Sequence, residues 1–450
     1  MSKKAVKKTV RELALDLILS VEKNQSYSNL LLNTTINKNQ LQPADSRLLT
    51  ELTYGTIQRK LTLDYYLQPF IKKGSKIEEW VMVLLRLSLY QLQYLDKIPD
   101  HAVLFEAVEI AKKRGHKGIA SMVNGILRSV QRKGLPSLDL ISDPVERISV
   151  ETSTPIWLVR RWSEQYGIAK TKEMCEKNLQ APKQTARVNT TKASREQVIA
   201  LLEEEGYSVE ASAVIPEAIV CLQGNMAHSK AFAAGLFTIQ DESSMLVSYA
   251  LGAKGNDQVL DTCAAPGGKA TSIAEKLTDG QVVALDLHEH KVKLINETAN
   301  RLGLDNITTY AFDARKVEEK FAPESFDKVL VDAPCSGLGV LRRKPDAKYA
   351  KSADDVSRLA AIQQNILSAA APLVKHGGTL VYSTCTIDKE ENDGVVQAFL
   401  AEHPQFTIDQ QLADRLPEKV KPLVANNCLQ LFPQDIESDG FFIACFRKEE

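Results

Sequence analysis

A chain of 450 residues, 44% apolar and 25% charged, is too long for one ordinary core and has the make-up of a soluble globular protein of two to four domains. No apolar run is long enough to span a bilayer; the longest, Trp80–Leu92, is broken by Arg86 and reads as a buried helix, so no membrane role is expected. Seven cysteines, an odd number without Cys-x-x-Cys or His-x-x-x-His spacing, argue against a disulfide scaffold and a structural zinc site, and no metal is expected.

The overall net charge of −1 hides an asymmetry. Residues 1–140 hold 22 Lys+Arg against 13 Asp+Glu, a net of +9, and the remainder holds 34 against 44, a net of −10. A basic front joined to an acidic remainder suggests an attached nucleic-acid-binding module. A solvated basic surface is the plain alternative. The basic stretch 1–10 does not read as a signal peptide, because Glu12 and Asp16 break the apolar segment that should follow. A cytoplasmic location is therefore expected.

Residues 1–140 read as an all-helical domain. Val10, Leu13, Ala14, Leu17, Ile18 and Val21 fall on one helical face. Pro43 opens a second helix through Leu48, Leu49 and Leu52, and Trp80–Leu92 is the central one. Glu106–Arg114 and Met122–Arg132 complete a bundle. Asp45, Arg47, Glu51, Gly55 and the stretch Val123–Arg128 resemble the NusB-type RNA-binding helical domain. Arg47 and Glu51 read as an intrahelical i,i+4 ion pair rather than as RNA contacts. Lys112, Lys113, Arg114 and Lys117 are the better candidates for phosphate contact.

Residues 141–240 read as a linker and a small α+β domain. Gly134, Pro136, Pro144 and Pro155 place the linker over 134–155. Ile156–Tyr166 is a helix carrying Trp157, Arg160, Arg161 and Trp162. Interleaved Arg and Trp suit stacking on RNA bases, but such tryptophans are more often core anchors. Short strands at Arg187–Asn189, Tyr207–Ala211, Ala218–Leu222 and Leu236–Gln240 alternate with an amphipathic helix, Glu196–Glu204.

Residues 241–450 alternate strand and helix, which predicts a doubly wound α/β sheet of Rossmann-like type. The expected strands are Val259–Asp261, Gln281–Asp286, Thr308–Ala311, Lys328–Val331 and Thr379–Ser383, followed by Leu429–Phe432 and Phe441–Phe446 as a hairpin. Ligands in such sheets bind beyond the carboxyl ends of the strands. The first turn there reads Cys263, Ala264, Ala265, Pro266, Gly267, Gly268, Lys269. It lacks the Gly-x-Gly-x-x-Gly of dinucleotide sites, which speaks against a nicotinamide-dependent oxidoreductase. A single nucleoside ligand fits better, and S-adenosylmethionine is the obvious one. Asp286 lies 19 residues after Gly267, where an acid suits ribose hydroxyls. Asp313, just past the third strand, suits an adenine amine, and its plain alternative is a helix N-cap.

Two cysteines follow strand ends. Cys335 stands three residues after Asp332, and Cys385 closes the run from Thr379. If those strands are neighbours, both thiols face one cleft. A thiolate adding to carbon 6 of a cytosine makes carbon 5 nucleophilic, and a second group can help to release the product. Asp332 is suited to the base at N3, where negative charge develops. By local sequence Cys335, in its Pro-Cys setting, is the more tempting nucleophile, although the chemistry alone does not decide between the two. Cys175, Cys221, Cys428 and Cys445 read as small core residues, and Cys263 as support for the turn.

Asp332 through Gly337 (Asp-Ala-Pro-Cys-Ser-Gly), Ser383 through Thr386 (Ser-Thr-Cys-Thr) and Ala264 through Lys269 together resemble the RNA cytosine-C5 methyltransferases of the NOL1/NOP2/Sun group. With the NusB-like front, the whole chain is similar to the bacterial branch that acts on 16S ribosomal RNA, free or in early assembly. The resemblance implies a class I S-adenosylmethionine-dependent catalytic domain over 241–450. It implies Cys385 as nucleophile and Cys335 in product release. It also implies donor contacts from Cys263–Lys269, Asp286, Asp313 and Asp332. Arg342, Arg343 and Lys344 follow the Cys335 loop and are expected to grip RNA phosphates. A non-catalytic RNA-binding assembly factor retaining the donor fold is the competing expectation.

Overall fold

The structure is a computed structural model that describes residues 8–24 and 28–450, so most of the basic stretch 1–10 lies outside the described residues. The chain forms two compact units. One comprises Met1–Gln180 with Leu341–Ala350, and the other Ala181–Val340 with Lys351–Glu450.

The first unit is helical: α1 (Val10–Asn24), α2 (Ser28–Asn39), α3 (Pro43–Gln58), α4 (Lys60–Leu67), α5 (Glu79–Tyr94), α6 (Asp100–Arg114) and α7 (Lys117–Lys133). The central helix α5 buries Val81, Leu84, Leu85 and Leu89 in one core with Ile18, Leu49, Leu52 and Leu127. Arg86, the charge inside that apolar helix, is accommodated by Asp64 at 2.6 Å and Glu22 at 3.2 Å. Glu51 does not pair with Arg47 among the described residues; its carboxylate accepts a 2.5 Å bond from the Tyr90 hydroxyl on α5.

The expected linker over 134–155 contains a helix, α8 (Pro144–Thr152). Pro144 occupies its first turn, where a missing N–H costs nothing, and the Asp143 carboxylate caps it by accepting from the Val145 N–H at 3.0 Å. Pro155 likewise precedes α9 (Ile156–Tyr166), and α10 (Ile168–Lys177) follows. Two of the three prolines that suggested a linker, Pro144 and Pro155, mark helix starts. Trp162 is fully buried, as a core anchor should be.

The segment Leu341–Ala350 completes this unit. Tyr349 packs on the helical core and its hydroxyl donates to the Ser153 carbonyl at 2.9 Å. Arg342 is only 6% exposed and its Nε donates to the Gln180 carbonyl at 3.2 Å. The Arg342 side chain, expected at RNA phosphates, is thus largely enclosed, with its Nε toward a main-chain acceptor. Arg343 is half-buried and Lys344 exposed.

The second unit begins with a four-stranded antiparallel sheet of order β2–β3–β1–β4, built from β1 (Gln184–Val188), β2 (Ser208–Ala211), β3 (Ala218–Gln223) and β4 (Phe237–Ile239). Its helix, Arg195–Glu204, starts on a reciprocal capping box between Ser194 and Gln197. A nine-stranded sheet follows, with β5 (Gln258–Asp261), β6 (Gln281–Asp286), β7 (Ile307–Ala311), β8 (Phe326–Asp332), β9 (Val374–Thr384), β10 (Phe406–Ile408), β11 (Val424–Ala425), β12 (Cys428–Leu431) and β13 (Phe441–Lys448). Strands β9–β8–β5–β6–β7 run parallel; β13 joins β9 antiparallel and carries the hairpin partner β12. The central strands bury both faces, so they read as apolar runs: Val259, Leu330 and Val381 point to one core, and Leu260, Val329, Val331 and Tyr382 to the other. The strand order reverses between β5 and β8, where a crevice opens at the carboxyl ends.

Among the described residues no helix is long and apolar enough to cross a membrane.

Candidate active site

The carboxyl ends of β5, β6, β7 and β8 bring Asp261, Asp286, Asp313 and Asp332 to one edge of the sheet. The turn from Cys263 to Lys269 joins β5 to the helix Gly268–Ala274. Gly267 holds φ at +106°, and a Cβ there would meet the Ile295 backbone at 3.2 Å, so glycine is required for the turn to lie on the next helix. Asp286 is 8% exposed; its Oδ1 accepts from the His288 N–H at 3.1 Å, and its Oδ2 takes no hydrogen bond among the described residues. Asp313 caps the turn after β7 by accepting from the Arg315 N–H at 3.0 Å, and it also pairs with the Arg315 guanidinium at 2.7 Å.

Parallel pairing of β8 with β9 sets Asp332 beside Ser383. The Ser383 hydroxyl donates to Asp332 Oδ1 at 2.7 Å, and Lys269 Nζ approaches Oδ2 at 2.8 Å. Burial works to lower the Lys269 pKa, but the charges of Asp332 and Cys385 outweigh it and hold the ammonium above its usual range. Asp261, with no exposure, is different: burial and the neighbouring Asp332 push its carboxyl up to about 7.

The same strand pairing brings the two cysteine loops together. Cys335 Sγ and Cys385 Sγ lie 3.1 Å apart. The hydrogen bond to Cys385, with burial, raises the Cys335 thiol well above its ordinary value, so Cys335 stays protonated. Beneath the thiols, Ser336 and Thr386 share a 3.0 Å bond between hydroxyls. Glu391 accepts from the Ser336 N–H at 2.8 Å and from its hydroxyl at 2.5 Å, and Gln363 Nε2 reaches both Glu391 and the Pro334 carbonyl. Gly339 donates its N–H to the Cys385 carbonyl at 3.0 Å. A Cβ at Gly339 would stand 2.1 Å from the Gly440 carbonyl oxygen, so only glycine lets the two loops meet.

The structure thus brings Cys335, Cys385, Asp332 and Lys269 into one group, with Asp286 and Asp313 along the same sheet edge. Arg342, Arg343 and Lys344 belong to the helical unit. Sequence reasoning gave no role of their own to Ser383, Ser336, Thr386 and Asp261, which stand in its motifs and strand ends, and missed Gln363 and Glu391. The last lies in the run Asp388–Asp393, which looks like a solvated charge patch. A π-helical turn, Glu390–Gly394, rotates it inward, and full burial raises its carboxyl above the usual range.

Comparison with known proteins matches each part of the chain. The family model described as 16S rRNA methyltransferase RsmB/F matches residues 248–447, the NusB family model matches 8–132, and an RsmF/B-like ferredoxin-like domain model matches 154–227. The Bacillus subtilis (strain 168) protein named "Probable ribosomal RNA small subunit methyltransferase B" is 55% identical over 444 residues, covering 98% of this chain and 99% of the relative. The ribosomal RNA small subunit methyltransferase B of Proteus mirabilis is 35% identical, covering 90% of this chain and 91% of its own. The crystal structure of PH0851 superposes with a TM-score of 0.81 at 26% identity, covering 100% of both chains. With near-complete coverage and the helical, ferredoxin-like and methyltransferase parts all matched, the chain belongs to the ribosomal RNA small subunit methyltransferase B family.

Proposed function

We propose that this protein transfers a methyl group from S-adenosylmethionine to carbon 5 of a cytosine in 16S ribosomal RNA through a covalent bond between Cys385 and carbon 6 of the base. The observation that carries the reading is the 3.1 Å approach of two thiols at the ends of adjacent parallel strands, beside the carboxylate of Asp332. Family membership supports the substrate class.

The Cys263–Lys269 turn, Asp286 and Asp313 are the residues that would hold the donor. The open Oδ2 of Asp286 fits a ribose hydroxyl. When bound, S-adenosylmethionine supplies an electrophilic methyl group. The chain's own residues do the rest. Carbon 5 of cytosine is a poor nucleophile. Attack of the Cys385 thiolate on carbon 6 forms a sulfur–carbon bond and moves the C5–C6 double-bond pair to carbon 5, which then bonds the methyl. We assign Asp332, steadied by Lys269 and Ser383, to the base at N3, sharing a proton there as negative charge develops. Loss of the carbon 5 proton to a solvent water restores the double bond, its electron pair expelling Cys385 as thiolate. Cys335 is assigned to that release; its protonated thiol can donate a hydrogen bond to the departing sulfur.

The protein incubated with methyl-labelled donor and unmodified 16S ribosomal RNA should place the label on carbon 5 of cytosine. Label on a ring nitrogen, a ribose oxygen or another base overturns the proposal. RNA binding without any transfer would favour the non-catalytic assembly factor instead.

A further inference from the structure

The helical unit carries a cleft of about 1400 Å³ between α4, the Gln68–Ser75 loop, α5, α8, the start of α9 and the Lys348–Tyr349 segment. Its lining holds five cations, Lys60, Lys72, Lys73, Arg86 and Lys348, against two acids, Asp64 and Glu146. Arg86 is already paired with Asp64 at 2.6 Å, and Lys60 with Glu22 at 2.7 Å. Lys72, Lys73 and Lys348 have no carboxylate partner among the described residues.

Lys348 is the unusual one. It is 3% exposed, and its Nζ donates a single 2.9 Å hydrogen bond, to the Gln58 carbonyl, although an ammonium has three donors. A buried cation without a counter-charge is costly, and burial pushes this one down to about 7. What the environment lacks is an anion. By contrast, three of the four basic residues expected to contact phosphates are paired: Lys112 with Glu109, Lys113 with Glu12 and Arg114 with Asp16, each at 2.6 Å.

The volume exceeds the roughly 300–1,000 Å³ of a pocket for one small molecule, which favours a polymer segment. Tyr65 and Trp157, both half-buried, stand among the cations in the lining. Cationic walls interleaved with aromatic rings suit single-stranded nucleic acid. We propose that this cleft binds a single-stranded stretch of the RNA substrate, with Lys72, Lys73 and Lys348 on phosphates and Tyr65 and Trp157 against bases. The proposal rests on the RNA methyltransferase reading. It adds a substrate subsite to which Lys348, 13 residues after Cys335 in the chain, contributes.

The test uses the full chain and an in vitro transcribed, unmodified 16S ribosomal RNA, with filter binding over a salt series and donor titration as a control. Lys72 and Lys73 are exposed, so Lys72→Ala with Lys73→Ala should leave folding and donor affinity unchanged. RNA affinity should fall about tenfold, and the slope of log affinity against log salt should shrink by about 1.4, at roughly 0.7 per phosphate contact on a single strand. Lys348→Met should weaken RNA binding similarly; should it fail to fold, the exposed pair still decides. RNA substituted with 4-thiouridine should crosslink to peptides containing Tyr65 or Trp157. Equal affinity and slope in the double variant, with crosslinks only elsewhere, overturns the proposal and leaves the cleft to a protein partner. If the wild-type protein binds no RNA at all, the RNA methyltransferase reading falls as well.

Discussion

The hydroxyls of Ser336 and Thr386 lie 3.0 Å apart, and each belongs to the residue that follows one of the two cysteines. Glu391 fastens this contact from below through two bonds to Ser336 and one from Gln363. The separation of the two thiols is therefore set by a buried carboxylate that touches neither. Glu391→Gln keeps the shape but presents one acceptor oxygen to two Ser336 donors. It should cost about 1–3 kcal/mol of stability, the usual penalty for a buried polar group left unsatisfied. Methyl transfer should fall by more than stability alone explains, while donor affinity holds. Thermal denaturation and single-turnover transfer measure both, and a stable, fully active variant would show that the clamp is unnecessary.

The cysteine roles separate cleanly. Cys385→Ala removes the attacking sulfur and should give no protein–RNA adduct. Cys335→Ala leaves attack possible and removes the donor to the departing thiolate, so a covalent adduct should accumulate and turn over slowly. A denaturing gel with labelled RNA reads both, and the opposite pattern would exchange the two assignments.

What the sequence made legible followed from local pattern. Strand Gln281–Asp286 has the bounds expected for it, because a strand buried on both faces is an apolar run and its end is marked by a charge. Cys335 and Cys385 were found because each stands just beyond such a run. The unread parts depend on partners far along the chain. Glu391 and Arg342 are charged residues in charged stretches, and nothing near them announces burial; their partners, Ser336 and Gln180, are 55 and 162 residues away. Pro144 misled for a different reason: a proline at a helix start and one in a linker look alike until the capping Asp143 is seen at work.

Arg187 of the small sheet is 1% exposed and pairs with Glu275, at the end of the helix after the Cys263–Lys269 turn. It also donates to Gln240 Oε1 at 2.9 Å and Thr271 Oγ1 at 3.1 Å. The ferredoxin-like part is thus braced against the helix that carries the candidate donor turn. Arg187→Met leaves Glu275 buried alone and should cost about 3–5 kcal/mol, whereas adding Glu275→Leu should restore much of it, since apolar replacement of a whole buried pair is often neutral. Urea denaturation of the three proteins tests this. Equal losses in the single and double variants would mean the pair acts only through packing.

Asp261 makes the stability of the fold depend on pH in a direction opposite to that of most carboxylates. Its side chain is fully buried, Oδ1 accepts from the Cys263 N–H at 3.3 Å, and Oδ2 has no partner among the described residues. Burial and Asp332 raise its carboxyl from the ordinary 3.8 to about 7. Between those values the folded chain holds a proton that the unfolded chain has released. The stability contributed by Asp261 is then complete below about pH 4 and is lost as pH rises through 7, with an upper bound on the order of 4 kcal/mol. Asp261→Asn keeps the acceptor for Cys263 and removes the titration. The difference in unfolding free energy between wild type and variant should therefore move in favour of the variant from pH 5 to pH 8. Acid-favoured stability at this one position, against the usual loss in acid, isolates Asp261 from the other carboxylates. A difference that stays constant across that range would mean that Asp261 is ionised in the fold and that Lys269 balances it as well as Asp332.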